Sequence, residues 1–420
     1  MSRTKGFALL LAAALAGSPA WAGNGNALHG IGAVNSSMGG AGVALPNDAL
    51  GALNLNPALL SQIDGHKMEF AAELVDDDIT VSSRVGPFAG STEHTADPSL
   101  IPAFGFTVHN PGSKIAYGVG FLGLAGFGAD FPQDSTNPIF APQPVGFGRV
   151  NSSYALMKVP TVVSYTVNDN LSIGGALIVG RASLTANPAG FTNPDCTNKG
   201  VCFVPSVNSD SAWGYGAQIG VFYKINPMFN IAASYQSEME FEDFEWNSAV
   251  ANPGLPTFGT ARKVKLQVNN PPNAVFGLGI TPTDRLKIAL DAKWMGFKNT
   301  AGFGDKLGWE DIMIYDIGVQ LQALPRLALR AGYNHGENAI PDSATFLNIE
   351  SPAVFTDHVT AGLGLTVTDG LTLNLLYYRA LSTKITGPFL SPVTGPVPGT
   401  QVSTEMKIQS VGATFSFTLP

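Results

Sequence analysis

Apolar and polar residues alternate with a period of two along most of the chain. The pattern is clearest over 359–367. Val359, Ala361, Leu363, Leu365 and Val367 share one parity, and Thr360, Gly362, Gly364 and Thr366 the other. Neighbouring side chains of an extended strand point to opposite faces, so this spacing predicts a strand with one greasy and one small or polar face. Thr368-Asp369-Gly370 follows, and Leu371, Leu373, Leu375 and Tyr377 resume the greasy parity. Asp-Gly between two alternating runs predicts a hairpin. The same test pairs 100–109 with 115–123, 153–166 with 171–184, 212–224 with 229–241, 264–280 with 285–294, and 315–324 with 327–333. Residues 67–75 form the first strand and 405–419 the last, giving about fourteen, an even number as bacterial barrels require.

Charge follows the same parity. Lys287, Asp291 and Lys293 oppose Leu286, Ile288 and Leu290; Arg326, Arg330 and Asn334 oppose Leu327 and Leu329; Asp316 and Gln320 oppose Ile317 and Leu321. Glu238 and Glu240 are placed on the same inward side. A Lys or Arg on the lipid face at the bilayer midplane costs ~2–4 kcal/mol, so the charged parity must face a lumen. Trp213, Tyr215, Tyr235, Trp294, Tyr315, Tyr333 and Tyr377 have outward parity and suit interfacial girdles. Short turns alternate with long connections at 76–99, 128–152, 187–210, 244–262, 334–355 and 385–404. The fold class is therefore all-β, a transmembrane antiparallel β-barrel with short turns at one end and long loops at the other. A general diffusion porin for polar solutes and a non-transporting surface β-protein or adhesin are the alternatives.

Composition narrows the class. Only 13% of the residues are charged, against ~25% in soluble domains, and there are 48 Gly and 25 Phe. No mature segment reads as a membrane helix. Residues 1–22 have the form of a secretory signal: Arg3 and Lys5, an apolar run over 7–16, then Ala20-Trp21-Ala22. The net charge of −8, without a basic cluster, gives no footprint for nucleic acid. Cys196 and Cys202 share a Pro/Asn/Gly-rich loop, and an exported chain would join them in a local disulfide. No nucleophile elbow, phosphate loop or metal cluster is present, so neither enzyme, cofactor nor metal is expected. Asp76-Asp77-Asp78 reads as a solvated loop.

Three stretches carry functional expectations. Residues 23–65 are rich in Gly, Ala and Asn and lack Lys and Arg. Within them Asn56-Pro57-Ala58 starts a capped turn, with Asn56 as N-cap and Pro57 at the first helical position. The segment reads as a plug in the lumen of the barrel 66–420, or as a plain N-terminal arm. Gly118, Gly120, Gly123, Gly126 and Gly128 crowd one strand, where glycine marks kinks or close approach. They would open the wall or make room for the plug. Phe127, Phe131, Phe140, Phe147, Phe191, Phe203 and Phe258 lie in the expected long connections, as a capture surface for hydrophobic molecules or as loop packing.

Ser37-Met38-Gly39-Gly40-Ala41-Gly42, Asp48 and Asn56-Pro57-Ala58 resemble the FadL family of outer-membrane channels for long-chain fatty acids and hydrocarbons. Tyr235-Gln236-Ser237-Glu238, Ala292-Lys293-Trp294, Gly308-Trp309-Glu310-Asp311, Asp342 and His358 follow in that family's order. The resemblance implies a fourteen-stranded barrel in the Gram-negative outer membrane and passive uptake. It implies an N-terminal hatch, gated around Asp48 and Asn56-Pro57-Ala58, and a lateral exit at a kinked third strand, with Gly126, flanked by Gly123 and Gly128, at the kink. Asn56-Pro57-Ala58 would hold the hatch against that exit. The family's carboxylate-binding cations fall near Arg181 and Lys306. Arg181 has outward parity and is expected at the lipid rim, against lipopolysaccharide phosphate, so Lys293, Lys306 and Arg330 are the candidate cargo cations. A monomer in outer-membrane lipid, taking a hydrophobic small molecule, is the implied assembly.

Overall fold

The computed structural model describes residues 24–196, 202–206 and 209–420, without the side chains of Ala125 and Phe127. The expected signal segment 1–22 lies outside them, and so does the side chain of Phe127. Fourteen strands close into one antiparallel barrel. They are β1 (His66–Val85), β2 (Ser99–His109), β3 (Ile115–Phe131), β4 (Val150–Asn168), β5 (Leu171–Asn187), β6 (Asp210–Lys224) and β7 (Phe229–Gln236). The second half comprises β8 (Asn273–Thr283), β9 (Leu286–Met295), β10 (Ile312–Leu324), β11 (Leu327–Gly336), β12 (Asp357–Thr368), β13 (Leu371–Gly387) and β14 (Thr400–Leu419). Each strand pairs with its chain neighbour, and β1 closes the ring on β14 from His66↔Leu419 to Val85↔Thr400. Closure pairs every strand on both sides, as a backbone in lipid requires, except along the upper part of β2 and β3.

Side chains sort to the two faces of the wall by parity. Leu177, Tyr215, Ile219, Tyr315, Val359 and Tyr377 point outward and are exposed on the lone chain, while Asp291, Lys293, Asp316 and Asn334 are buried inside. Three expectations are corrected. Asp76-Asp77-Asp78 lies within β1, which continues for ten residues beyond Val75 because β14 pairs with it throughout. Residues 264–266 belong to a separate hairpin, Phe244–Ala249 with Ala261–Leu266, and the barrel strand begins only at Asn273. Glu240 points outward. β6 pairs Gln218 with Gln236 but Tyr215 with Glu240, a shift of one residue that reverses parity and turns Phe241 inward. Gly180 and Gly214 leave the room that Phe241 fills.

The N-terminal residues pack inside this ring as α1 (Gly32–Ser36), α2 (Ala49–Leu55) and a 3-10 turn, Pro57–Gln62. α2 begins at Asp48, whose carboxylate accepts the Gly51 N–H at 3.0 Å. Inward-facing glycines of the wall take up the contact. A Cβ on Gly332 would lie 2.2 Å from the Gly39 nitrogen, and one on Gly277 2.3 Å from Val43. A Cβ on Gly174 would meet the Pro57 backbone at 2.4 Å, and one on Gly220 would meet Asn56 Oδ1 at 1.9 Å. Separations under 3 Å are impossible for real side chains, so the lumenal segment and the wall fit only because these positions lack one.

Candidate functional site

The wall opens where β3 changes register. β2 and β3 pair from His109↔Ala116 up to Ala103↔Leu122 and stop there. Above that point β2 stays on β1, with Ser99 opposite Val75, while β3 stays on β4 to Phe131↔Val150. The β3–β4 ladder slips between Gly123 and Ala125, a bulge that bends β3 away from β2. Higher still, the Thr95 N–H donates to the Asp130 carbonyl at 2.8 Å and closes the gap again. The result is a window bounded by residues 99–102 and 123–129.

A cavity of about 490 Å³ runs through that window. Its inner wall is Leu156, Phe355, His358, Tyr378 and Met406, with His29 of the lumenal segment; its outer mouth is Leu100, Met157 and Arg181. Leu100 and Met157 face outward, so one continuous space connects lumen and exterior. Gly123, Gly126 and Gly128 all line it, the first of them in contact with β2: a Cβ there would lie 2.5 Å from Ile101 Cγ2. A Cβ on Gly126 would stand 3.1 Å from the Tyr154 carbonyl, its nearest contact among the described residues apart from its chain neighbours. The strand's glycines thus divide. Gly118 makes room for Leu60 of the lumenal segment, and those above Leu122 border the window.

Residues 24–28 stand behind the window like an extra strand. The Leu28 N–H donates to the Leu124 carbonyl at 3.1 Å, and the Gly126 N–H donates to the Asn26 carbonyl at 3.2 Å. The bulge frees these β3 groups from β2, and the N-terminal residues satisfy them. This contact replaces the expected one. Asn56-Pro57-Ala58 packs against β5 and β6 at Gly174 and Gly220, away from the window. Asn56 there accepts the Ala58 N–H at 3.0 Å and donates to the carbonyls of Val43 and Val221, each at 3.1 Å.

The candidate cations fall in three places. Arg330 faces inward, but its guanidinium donates to Gln320 Oε1 at 2.6 Å and Asn374 Oδ1 at 3.0 Å, beneath α2. Lys293 lies 3.7 Å from Asp316 beside a smaller cavity, across the N-terminal residues from the large one. Neither lines the main cavity. Lys306 borders a third space of about 40 Å³ under the long loops, half-exposed and 3.2 Å from Asp305. Arg181 has the expected outward parity, with its guanidinium 4.8 Å from the Trp213 ring and a hydrogen bond to Ser211. The lumenal charges largely serve the N-terminal segment: Asp291 accepts the Gly42 and Val43 N–H groups at 2.7 and 2.9 Å, and Glu69 accepts that of Leu50 at 2.9 Å. Burial, and then the Glu69 carboxylate, push the Asp48 carboxyl up.

Inside the cavity the lining is mostly aromatic and apolar, with Asp77 as its acidic residue and Arg181 at its outer mouth. The His29 and Tyr378 rings meet edge-on at 4.5 Å, and His358 lies 4.9 Å from His29. Burial holds the His29 imidazole down to about 4, so it is uncharged at neutral pH. Tyr378 carried no sequence signal beyond its parity and His29 none, because their partners are far away in the chain. The loops are held by their own aromatics. Phe131 stacks on Phe140 at 4.7 Å and Phe147 on Phe203 at 4.6 Å, so these rings are packing and not an exposed capture surface, whereas Phe258 is exposed. Cys196 and Cys202 form a disulfide in the β5–β6 loop.

Comparison with known proteins agrees with this architecture. A family model described as outer membrane protein transport protein (OMPP1/FadL/TodX) matches residues 13–418. No curated protein matches the sequence. Among solved structures, the P. putida toluene transporter TodX superposes with a TM-score of 0.70 at 17% identity, over 93% of this chain and 99% of that one. A Pseudomonas aeruginosa FadL homologue gives 0.71 at 15%, over 95% and 100%. The Ralstonia pickettii toluene transporter TbuX gives 0.65 at 17%, over 92% and 98%.

Proposed function

Because the chain belongs to the FadL/TodX family of outer-membrane transport proteins, we propose that it is a passive channel for small uncharged hydrophobic molecules, which it releases sideways into the bilayer through the β2–β3 window. Membership makes it an outer-membrane barrel and a transport channel, not an enzyme. The observation that carries the finer reading is the cavity of about 490 Å³ that continues from the aromatic lumen to the outward-facing Leu100 and Met157. That volume is in the range of small-molecule sites. A hydrophobic solute leaving there enters lipid directly and never crosses an aqueous lumen filled by α1 and α2.

The lining favours an uncharged cargo over a fatty acid. A carboxylate loses water on entry and needs a paired cation. Lys293 and Arg330 are engaged elsewhere, and Arg181 stands at the outer mouth. We assign Lys293 and Arg330 to holding the hatch. Asp48 and Asn56-Pro57-Ala58 set its fold, and residues 24–28 form the part that must move for the window to clear. Arg181 is suited to a lipopolysaccharide phosphate at the exit, and the protein is taken to act as a monomer.

The test is uptake by cells that lack related channels. Expression of this chain should speed toluene entry several-fold over the empty strain and leave hexanoate entry unchanged. Equal gains for both, or none for toluene, contradict the reading.

A further inference from the structure

The Tyr154 ring stands between the large cavity and the small one beneath the long loops. Among the described residues, Tyr154 is the one that lines both. The inward positions of β4 run down through them: Ser152 borders the loop cavity, Tyr154 both, and Leu156 the lumenal one. On β5 the register partners repeat the order, with Ala186 and Leu184 above and Ala182 below. The Tyr154 ring is buried and stands edge-on to Phe303, centroids 6.4 Å apart at 88°. Its own carbonyl is the one atom that crowds Gly126 at the window.

We propose that Tyr154 is the internal gate and girth filter of the channel, a swinging ring between the loop cavity and the lumenal cavity. The inference rests on the channel reading above. The loop cavity, at about 40 Å³, has room for only a few waters, since each needs roughly 10–15 Å³ of such space. No hydrocarbon can pass unless a side chain moves. Tyr154 is placed to do so because space lies on both sides of it, and a swing about its first side-chain torsion joins the two cavities. The walls it would expose are mainly apolar, Leu184, Phe191, Leu266 and Val268, with Lys306 and Glu350 as the charged groups on their border, so opening offers hydrocarbon an apolar path. The ring returns to an aromatic neighbour, and edge-to-face contacts of this kind stabilise the closed position. Cargo wider than the opened slot is excluded, so the residue sets which molecular widths reach the exit.

The experiment compares toluene with triisopropylbenzene, two uncharged hydrocarbons of different girth, in cells carrying the full chain. Tyr154→Ala should raise the uptake ratio of triisopropylbenzene to toluene about ten-fold, the order by which a pocket discriminates hydrocarbon bulk. Tyr154→Phe keeps the ring and should keep the wild-type ratio. Heat-modifiable electrophoretic mobility checks that each barrel is folded. A folded Ala variant with the wild-type ratio overturns the gate while leaving the channel reading intact. A Phe variant that behaves like Ala overturns it too, since bulk is then not the determinant. Wild-type cells that take up toluene no faster than the empty strain would instead defeat the channel reading itself.

Discussion

The side chain of Asn56 closes its own turn and reaches two other places, the Val43 carbonyl within the hatch and the Val221 carbonyl in the wall. Asn56→Ala removes a helix cap and leaves both buried carbonyls without that donor, for a local loss of ~1–3 kcal/mol. The barrel should stay folded, while planar-bilayer recordings show the hatch loosened as frequent conductance bursts. Gly220→Ala attacks the same contact from the wall, since its methyl falls 1.9 Å from Asn56 Oδ1. It should produce the same bursts. Glu350 supplies a pH dependence. Burial pushes its carboxyl up to about 8 from 4.5, and the Gly190 N–H donates to it at 3.3 Å. Below pH 4.5 the group is protonated whether the loop is packed or open, and no penalty arises. Between 4.5 and about 8 the open loop ionises and the packed one does not, so packing weakens as pH rises and is weakest above 8. Hydrogen exchange over 337–356, corrected for intrinsic rates, should quicken from pH 6 to pH 9, and Glu350→Gln should abolish that change.

At the scale of elements, β3 is the strand on which the proposed exit turns. Its glycines were visible in the sequence, and so was the prospect that they either bend the wall or admit the plug. Both occur, at different heights. The bulge at Gly123–Ala125 and the end of β2–β3 pairing at Leu122 were not visible. A one-residue slip leaves no trace in a pattern of small residues that lack parity. The same limit explains Glu240, whose inward placement assumed an unbroken period through Ser237. The docking of Asn56-Pro57-Ala58 on β5 and β6 depends on Gly174 and Gly220, strand residues that read as weak positions until the hatch is set against them. Strand existence and orientation were legible because lipid enforces the period, and the long-loop ends were misjudged because that enforcement stops at the membrane surface. There β1 runs on through Asp76-Asp77-Asp78.

For the molecule as a whole, the hatch is a separate structure seated in a closed ring. Among the described residues the fourteen strands pair along their backbones with one another, and at the window, where that pairing stops, β3 bonds to residues 24–28 through Leu124 and Gly126. Deleting 24–61 should therefore leave a folded barrel with ionic conductance raised several-fold in a planar bilayer, and toluene uptake that no longer discriminates against polar solutes. Unchanged conductance would mean that these residues do not block the lumen.

Lateral release through the window stands or falls with Gly126→Val. Gly126 lines the cavity at the window, with a Cβ position 3.1 Å from the Tyr154 carbonyl, so the added side chain should fill space on the proposed exit path. Toluene uptake by the folded variant should fall to near the level of the empty strain, with the hatch still closed to ions. Wild-type uptake by a Gly126→Val barrel of normal heat-modifiable mobility would contradict the account and place the exit elsewhere.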